Sequence, residues 1–292
     1  MSAALTLSAA PRGRGAWRLK PASAIPGFSI AFGYAILYLA LLVLLPLTAL
    51  VLRASALGFS GWWAAISDER VVAALKTSFG ISFAAAAVDA AFGLLVAWVL
   101  TRYRFAGRKI LDAVIDLPFA LPTAVAGIAL AAIYAPNGWI GRLLAPLDVK
   151  IAFTPLGIFV ALVFVGLPFA VRTVEPLIAE IDRELEEASA TLGATRVQTV
   201  WKVVIPPLIP AVITGFTLAF ARAVGEYGSV IFIAGNMPYV SEIAPLLIVI
   251  KLEEFNYGGA TAIATIMLAI SFAALLVINL LQAYSRRRYG HV

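Results

Sequence analysis

Cysteine is absent from the 292 residues, and histidine occurs once, as His291. Disulfides and thiolate chemistry are thereby excluded, and a histidine-based metal centre has no ligand set. Charge is scarce too: Asp, Glu, Lys and Arg make up 13% of the chain, while 62% is hydrophobic and the mean hydropathy is +0.96. Such a composition is foreign to a water-soluble domain and belongs in a membrane. No Gly-rich segment ending in Lys-Ser or Lys-Thr occurs, so the chain carries no phosphate loop of its own. Tandem repeats and low-complexity linkers are missing, and no polar stretch exceeds about 35 residues, too little for a second soluble domain.

What remains is apolar runs long enough to cross a bilayer as helices, which takes about 20 residues each. Six are present, at residues 28–52, 77–100, 110–134, 154–171, 208–234 and 259–284. "RASA" at 53–56 imitates a cleavage site, but the run before it exceeds the 7 to 15 residues of a signal h-region, so an uncleaved anchor is expected. Basic residues are retained on the cytoplasmic side. Fifteen fall in the amino-terminal tail, the second-to-third and fourth-to-fifth connections and the carboxyl tail, against six on the other side (Arg53, Arg70, Lys76, Arg142, Lys150 and Lys251). Both termini are therefore expected in the cytoplasm. The net charge of +6 reflects this asymmetry, and because the cations are dispersed over separate loops no nucleic-acid partner is implied.

The spans are not uniform. "DLPFALPTAVAG" in the third places Pro118 and Pro122 four residues apart, and a broken or bent helix is expected, either as a packing kink or as the wall of a pathway. Gly127, Ala124, Ala131 and Ala132 suit close helix contact. Trp62 and Trp63 suit an outer aromatic belt, and Asn137-Gly138 suits a surface turn. Ionisable residues within spans cost about 2.5 to 3.5 kcal/mol each unless water or a partner is found. They are Asp89, Asp112, Asp116, Arg222 and Glu226. Arg222 and Glu226, four apart, share a helix face and satisfy each other, or Arg222 offers its guanidinium to a passing oxyanion.

Between the fourth and fifth runs stands "EEASATLGATRVQTVWKVVIPPLIP", residues 186–210. With "DRELEE" ahead of it, insertion of those five charges would cost roughly 12 to 17 kcal/mol, so this connection lies in water. Leu185, Ala188, Ser189 and Leu192 nevertheless keep helical spacing, Asp182 suits an N-cap, and Gly193 sits where a left-handed residue ends a helix. "TRVQ" then has capping-box form and starts a second short helix, which Pro206 and Pro207 are expected to end. A helix, a glycine corner and a helix result. The first helix has an apolar stripe and no core of its own, and it either docks in another protein's groove or packs on this chain's helix ends.

These residues resemble the EAA signature of ABC importer permeases: Glu-Ala-Ala, three residues, Gly, nine residues, Ile-x-Leu-Pro. Here the pattern reads Glu187, Ala188, Ser189, then Gly193, then Val203 to Pro206, with conservative replacements and every interval preserved. Further stretches, "LTRYRFAGRKILDAVIDLPFALPTAVAGIALA" and "FARAVGEYGSVIFIAGNMPYVSEIAPLLIVIKLEEFNYGGATAIA", are similar to the T-type permeases of bacterial sulfate/thiosulfate importers. The likeness covers residues 30–282 and excludes the basic tail, residues 1–24.

The resemblance implies an all-α integral membrane protein of six transmembrane helices, the type I ABC importer permease fold, in residues 25–292, with a core module at about 71–283 and a coupling loop at about 173–207. It implies a bacterial inner-membrane location among lipid, and three partners: a homologous W-type permease, a cytoplasmic ATPase dimer and an extracytoplasmic sulfate/thiosulfate-binding protein. ATP and Mg would be used by the ATPase, and this chain would bind neither cofactor nor metal and catalyse nothing. Glu187, Ala188, Ser189, Leu192, Gly193 and Pro206 would form the coupling loop, and Thr123, Arg222, Glu226 and Asn236 are the candidates for the translocation pathway. Three other readings have less support. A molybdate or tungstate permease would share the inner loop. An ion-coupled transporter working through Asp89 would leave that loop unexplained. A membrane enzyme would have only Asp112 and Asp116 to offer.

Overall fold

The computed structural model describes residues 28–289. The basic tail, residues 1–24, and His291 lie outside the described residues. Among the described residues six helical segments are long and apolar enough to cross a membrane, the third of them, Thr123–Leu147, made of more than one short helix. In chain order the helices are α1 (Ile30–Ser55), α2 (Gly58–Ile66), α3 (Glu69–Arg102), α4 (Arg108–Ile115), α5 (Leu117–Ala120), α6 (Thr123–Tyr134), α7 (Trp139–Leu144) and α8 (Pro155–Glu180). They continue as α9 (Arg183–Thr191), α10 (Arg196–Val224), α11 (Val230–Ile233), α12 (Ala244–Glu253) and α13 (Tyr257–Tyr289). The chain divides after Ala49 into two compact units, and the first is helical. A π-turn at Ala40–Leu44 stands in it immediately before Leu45-Pro46, where the wider turn accommodates a residue that cannot donate an N–H.

In the second unit α3, α8 and α10 pack on one another through small residues. A Cβ added at Gly93 would stand 2.6 Å from Ala170 Cβ and 3.2 Å from the Val171 backbone nitrogen, and one at Gly215 would stand 3.1 Å from Ala170 Cα. Lipid tails are as apolar as leucine, so close backbone approach rather than hydrophobic transfer holds such helices together. Ala97, Leu100, Val171, Val174, Ile178, Val204 and Leu208 fill one end of this three-helix core, and Ala85, Ile158, Ala161, Leu162 and Ala223 the other. α13 covers α10 through Met267, Ala274 and Ile278, and Gln282 donates to Thr214.

The structure corrects several expected boundaries. α3 starts at Glu69 rather than Thr77, because Asp68 caps it by accepting from the Arg70 and Val71 backbone nitrogens at 3.0 and 3.3 Å. The third run is broken as its prolines demand: α4 ends at Ile115, Pro118 lies in the first turn of α5, and extended Pro122 precedes α6. The fifth run does not reach Ala234 as a helix, since α10 stops at Val224 and Gly225 begins a loop. Pro206 and Pro207 do not end a helix. A π-turn at Val200–Val204, closed by the Ile205 N–H on the Val200 carbonyl, precedes them, and this wider turn accommodates two rings that donate no N–H.

Overpacking at the α3–α8 contact gives a direct check. Gly93→Val is expected to cost about 1 to 3 kcal/mol and lower the thermal midpoint in detergent. Gly80→Ala, on the same helix but with no atom within 4 Å of the added carbon, is expected to leave the midpoint unchanged.

Candidate functional site

The connection from α8 to α10 is a helical corner. Asp182 Oδ1 accepts from the Glu184 nitrogen at 3.1 Å and begins α9, with Glu184 and Glu186 in the first turn against the positive end of the helix. At its other end Gly193 takes φ +84°, and the Gly193 and Ala194 nitrogens close back on the Ala190 and Ser189 carbonyls at 3.0 and 3.1 Å. That left-handed conformation costs a residue with a Cβ about 1 to 2 kcal/mol. Thr195 and Gln198 form the expected capping box, with the Thr195 nitrogen donating to Gln198 Oε1 at 2.8 Å, and α10 follows.

The apolar stripe of α9 is divided between two directions. Ser189 is not free to face a partner: its hydroxyl lies 2.8 Å from Thr199 Oγ1 with both residues buried, which pins α9 on the first turn of α10. Leu192, 89% exposed, faces outward with Leu185, Val197 and Trp201, while Glu187, Ala188 and Gly193 are also at the surface. Pro206 is half-buried within α10. One turn before Ser189 in α9, Glu186 meets Arg102, the last residue of α3, which lies 3.1 Å from Glu186 Oε1, donates to the Ile181 carbonyl at 3.1 Å and covers the Trp98 ring at 5.3 Å.

Farther along the bundle, two breaks in regular structure meet. Glu226, just past the end of α10, pairs with Arg222 through Oε2 and accepts from the backbone nitrogen and hydroxyl of Ser229 through Oε1, both at 2.9 Å. The glutamate side chain is 2% exposed and that of the arginine 33%, so the carboxylate is sealed while its cation reaches outward. The loop packs on the start of α6: any Cβ on Gly228 would strike Thr123 Oγ1, and any on Gly127 would strike the Ser229 backbone. Thr123, Arg222 and Glu226 therefore belong to one neighbourhood. Asn236 takes φ +53°, with Nδ2 donating to the Ile231 carbonyl at 2.9 Å.

Three polar clusters escaped the sequence reading. Arg172 gathers both acids of the third run: its Nε and Nη2 donate to Asp116 at 2.9 and 2.6 Å, Nη2 lies 2.7 Å from Asp112 Oδ1, and Nη1 donates to Glu175 at 2.7 Å. Asp112 and Asp116 are thus charge partners of α8 and not a free acid pair. Arg70 holds buried Glu242 by two bonds of 2.8 and 2.7 Å, and Ser78 accepts from the Ala244 nitrogen at 2.7 Å, which fixes the loop after α11 to the start of α3. Ser189–Thr199 is the third. Two of these join residues more than fifty positions apart, and of the three only the acids of the third run signal in the sequence that a cation is needed. Asp89 is buried against Gly166, and its Oδ1 has no hydrogen-bond partner within the protein.

Six apolar helices, a doubly broken third segment and a polar helical corner held to three elements define a membrane-spanning transport subunit. Residues 89–291 match the family described as binding-protein-dependent transport system inner membrane component, and the chain belongs to that family. It is 49% identical over 268 residues to the sulfate transport system permease protein CysT of Salmonella typhimurium, covering 91% of this chain and 97% of that one. The protein of the same name from Escherichia coli is 48% identical over the same shares, and that of Synechocystis sp. 48% identical over 89% of this chain and 91% of its own. A chain in the crystal structure of a bacterial alginate ABC transporter with its pentasaccharide-bound periplasmic protein has the same fold, with a TM-score of 0.72 at 17% identity over 90% of this chain and 95% of that one. A chain of the MetNI methionine ABC transporter, inward facing, gives a TM-score of 0.53 at 18% identity over 75% and 99%. The protein is a multi-pass component of the bacterial inner membrane with an ABC importer permease fold.

The Arg222–Glu226 pair is open to a mutant cycle. Arg222→Ala strands a sealed carboxylate and is expected to cost about 3 kcal/mol. Adding Glu226→Gln removes that charge, keeps an oxygen for Ser229 and is expected to recover most of the loss in a thermal melt. A double variant no more stable than Arg222→Ala would show that the pair does not hold this loop.

Proposed function

We propose that this chain is the permease subunit of an ATP-driven importer of sulfate and thiosulfate, that it forms part of the translocation pathway, and that its α9 corner receives a separate ATPase. The observation that carries the reading is the joint presence of near-complete coverage of sulfate permease relatives and an outward-facing apolar corner on α9. The family brings with it a partner ATPase and a substrate-binding protein. The finer assembly proposed is a W-type permease beside this chain, an ATPase dimer that consumes Mg-ATP in the cytoplasm, and a sulfate-binding protein outside.

Both chain ends and α9 then lie in the cytoplasm, as the distribution of basic residues requires. Exposed Leu192, Val197 and Trp201 enter a groove of the ATPase, with Glu187 at the rim. A helix held in this way transmits work only if docking differs between two states of the ATPase, so closure of the ATPase pair would carry α9 and the helices bonded to it from one access state to the other. Arg222, a third exposed and paired with Glu226 of the loop that packs on Thr123, supplies positive charge to the anion's route, and the Asn236 loop borders it.

Reconstitution of the complex in liposomes with its binding protein tests the assignment. Sulfate is expected to stimulate ATP hydrolysis and to enter only with ATP, and molybdate at equal concentration is expected to compete poorly. Stimulation by molybdate but not by sulfate would transfer the chain to the molybdate branch. Gly193→Val is expected to strain the corner and reduce ATPase recovery or sulfate uptake about tenfold. Normal recovery together with normal uptake would remove α9 from the coupling role.

A further inference from the structure

We propose that Arg102 is the brace that passes displacement of α9 into the membrane-spanning core, a positioning residue for coupling; this rests on α9 being the ATPase-receiving element. One guanidinium joins three elements here. Arg102 ends α3, caps the carboxyl end of α8 by donating to the Ile181 carbonyl, and meets Glu186 of α9. Its plane is held over Trp98, one turn back on α3, and its side chain is 11% exposed. No other hydrogen bond or ion pair joins α3 to α9 among the described residues. One turn further on the same face of α9, Ser189 ties it to Thr199 of α10. α9 is therefore joined to two helices of the three-helix core, with one polar link to each.

The Arg102 link is also incomplete as it stands. The ions are 3.1 Å apart, yet Glu186 Oε1 and Arg102 Nε are both buried without a hydrogen-bond partner. Unmet buried polar groups favour any rotation of α9 that would satisfy them. A second position of α9 with the pair fully bonded gives α3 the energetic preference between two states that a transmission element needs.

The test uses the whole reconstituted complex and reads sulfate moved per ATP hydrolysed. Glu186→Gln keeps Arg102 on Ile181 and Trp98, so it isolates the link from folding. It is expected to retain the ATPase on purification and to hydrolyse ATP near the wild-type rate while moving about threefold less sulfate per ATP. Arg102→Gln is expected to do the same, the double variant no worse than either single one, and the exchange Arg102→Glu with Glu186→Arg to restore part of the yield. Unchanged yield per ATP in both single variants would overturn the brace, and so would loss of the ATPase from Glu186→Gln. A wild-type complex that fails to retain the ATPase at all would overturn the coupling role of α9 as well, an outcome distinct from the others.

Discussion

Backbone polar groups cannot be left bare in hydrocarbon, and that constraint decides where this chain departs from helix. The third span breaks twice around Pro118 and Pro122, and the fifth stops at Gly225 well before its apolar run ends. Either break facing lipid would expose several unpaired groups. Instead the start of α6 and the loop after α10 pack on each other: Gly228 admits Thr123, Gly127 admits the Ser229 backbone, and Glu226 accepts the backbone and hydroxyl donors of Ser229 at the start of α11. That contact is buried at Gly127, Glu226 and Ser229. The glycines are required by close approach here, since any Cβ would lie inside a neighbouring group.

The same accounting explains the charged residues. Arg172 neutralises the acids of the third run, Arg70 neutralises Glu242, and Arg222 neutralises Glu226. Each of these pairs gives a directional link where apolar contact has no directional preference in a membrane. Ion pairs here set register and orientation, whatever their net contribution to stability. Asp89 is the exception among the described residues, since it is buried in the middle of α3 with no cation among its ion-pair partners.

Much of this was legible in the sequence where the information is local. Asp182, Gly193 and the Thr195–Gln198 box ended or began helices where their chemistry predicts, because caps act over three or four residues. The six spans followed from length and hydropathy, and the break at Pro118 and Pro122 from a missing donor. The errors have a common origin. Proline 206 was read as a stop because local chemistry does not reveal that a π-turn ahead of it will absorb the ring, and the fifth run was read through Ala234 because hydropathy does not separate a buried loop from a helix. For Ser189 the helical spacing leaves open whether its face meets a partner or this chain, because its neighbour Thr199, on the next helix, leaves no local mark.

That contact between Ser189 and Thr199 changes what the α9 corner can do mechanically. A helix fastened to its own chain only by its two ends would rotate about them and dissipate a push. α9 has in addition a buried hydroxyl pair to α10 and an ion pair to α3, one turn apart on one face, while Leu185 and Leu192 are exposed. Force applied to that outer face is divided between two helices that themselves pack closely on α8, and packed helices switch between discrete arrangements more readily than they bend. The small residues at the α3–α8 and α8–α10 contacts, Gly93, Ala170 and Gly215, leave those surfaces smooth enough to slide. A corner that is polar enough to stay in water, yet bonded to α3 and α10, would under the proposed docking pass it into the membrane-spanning core.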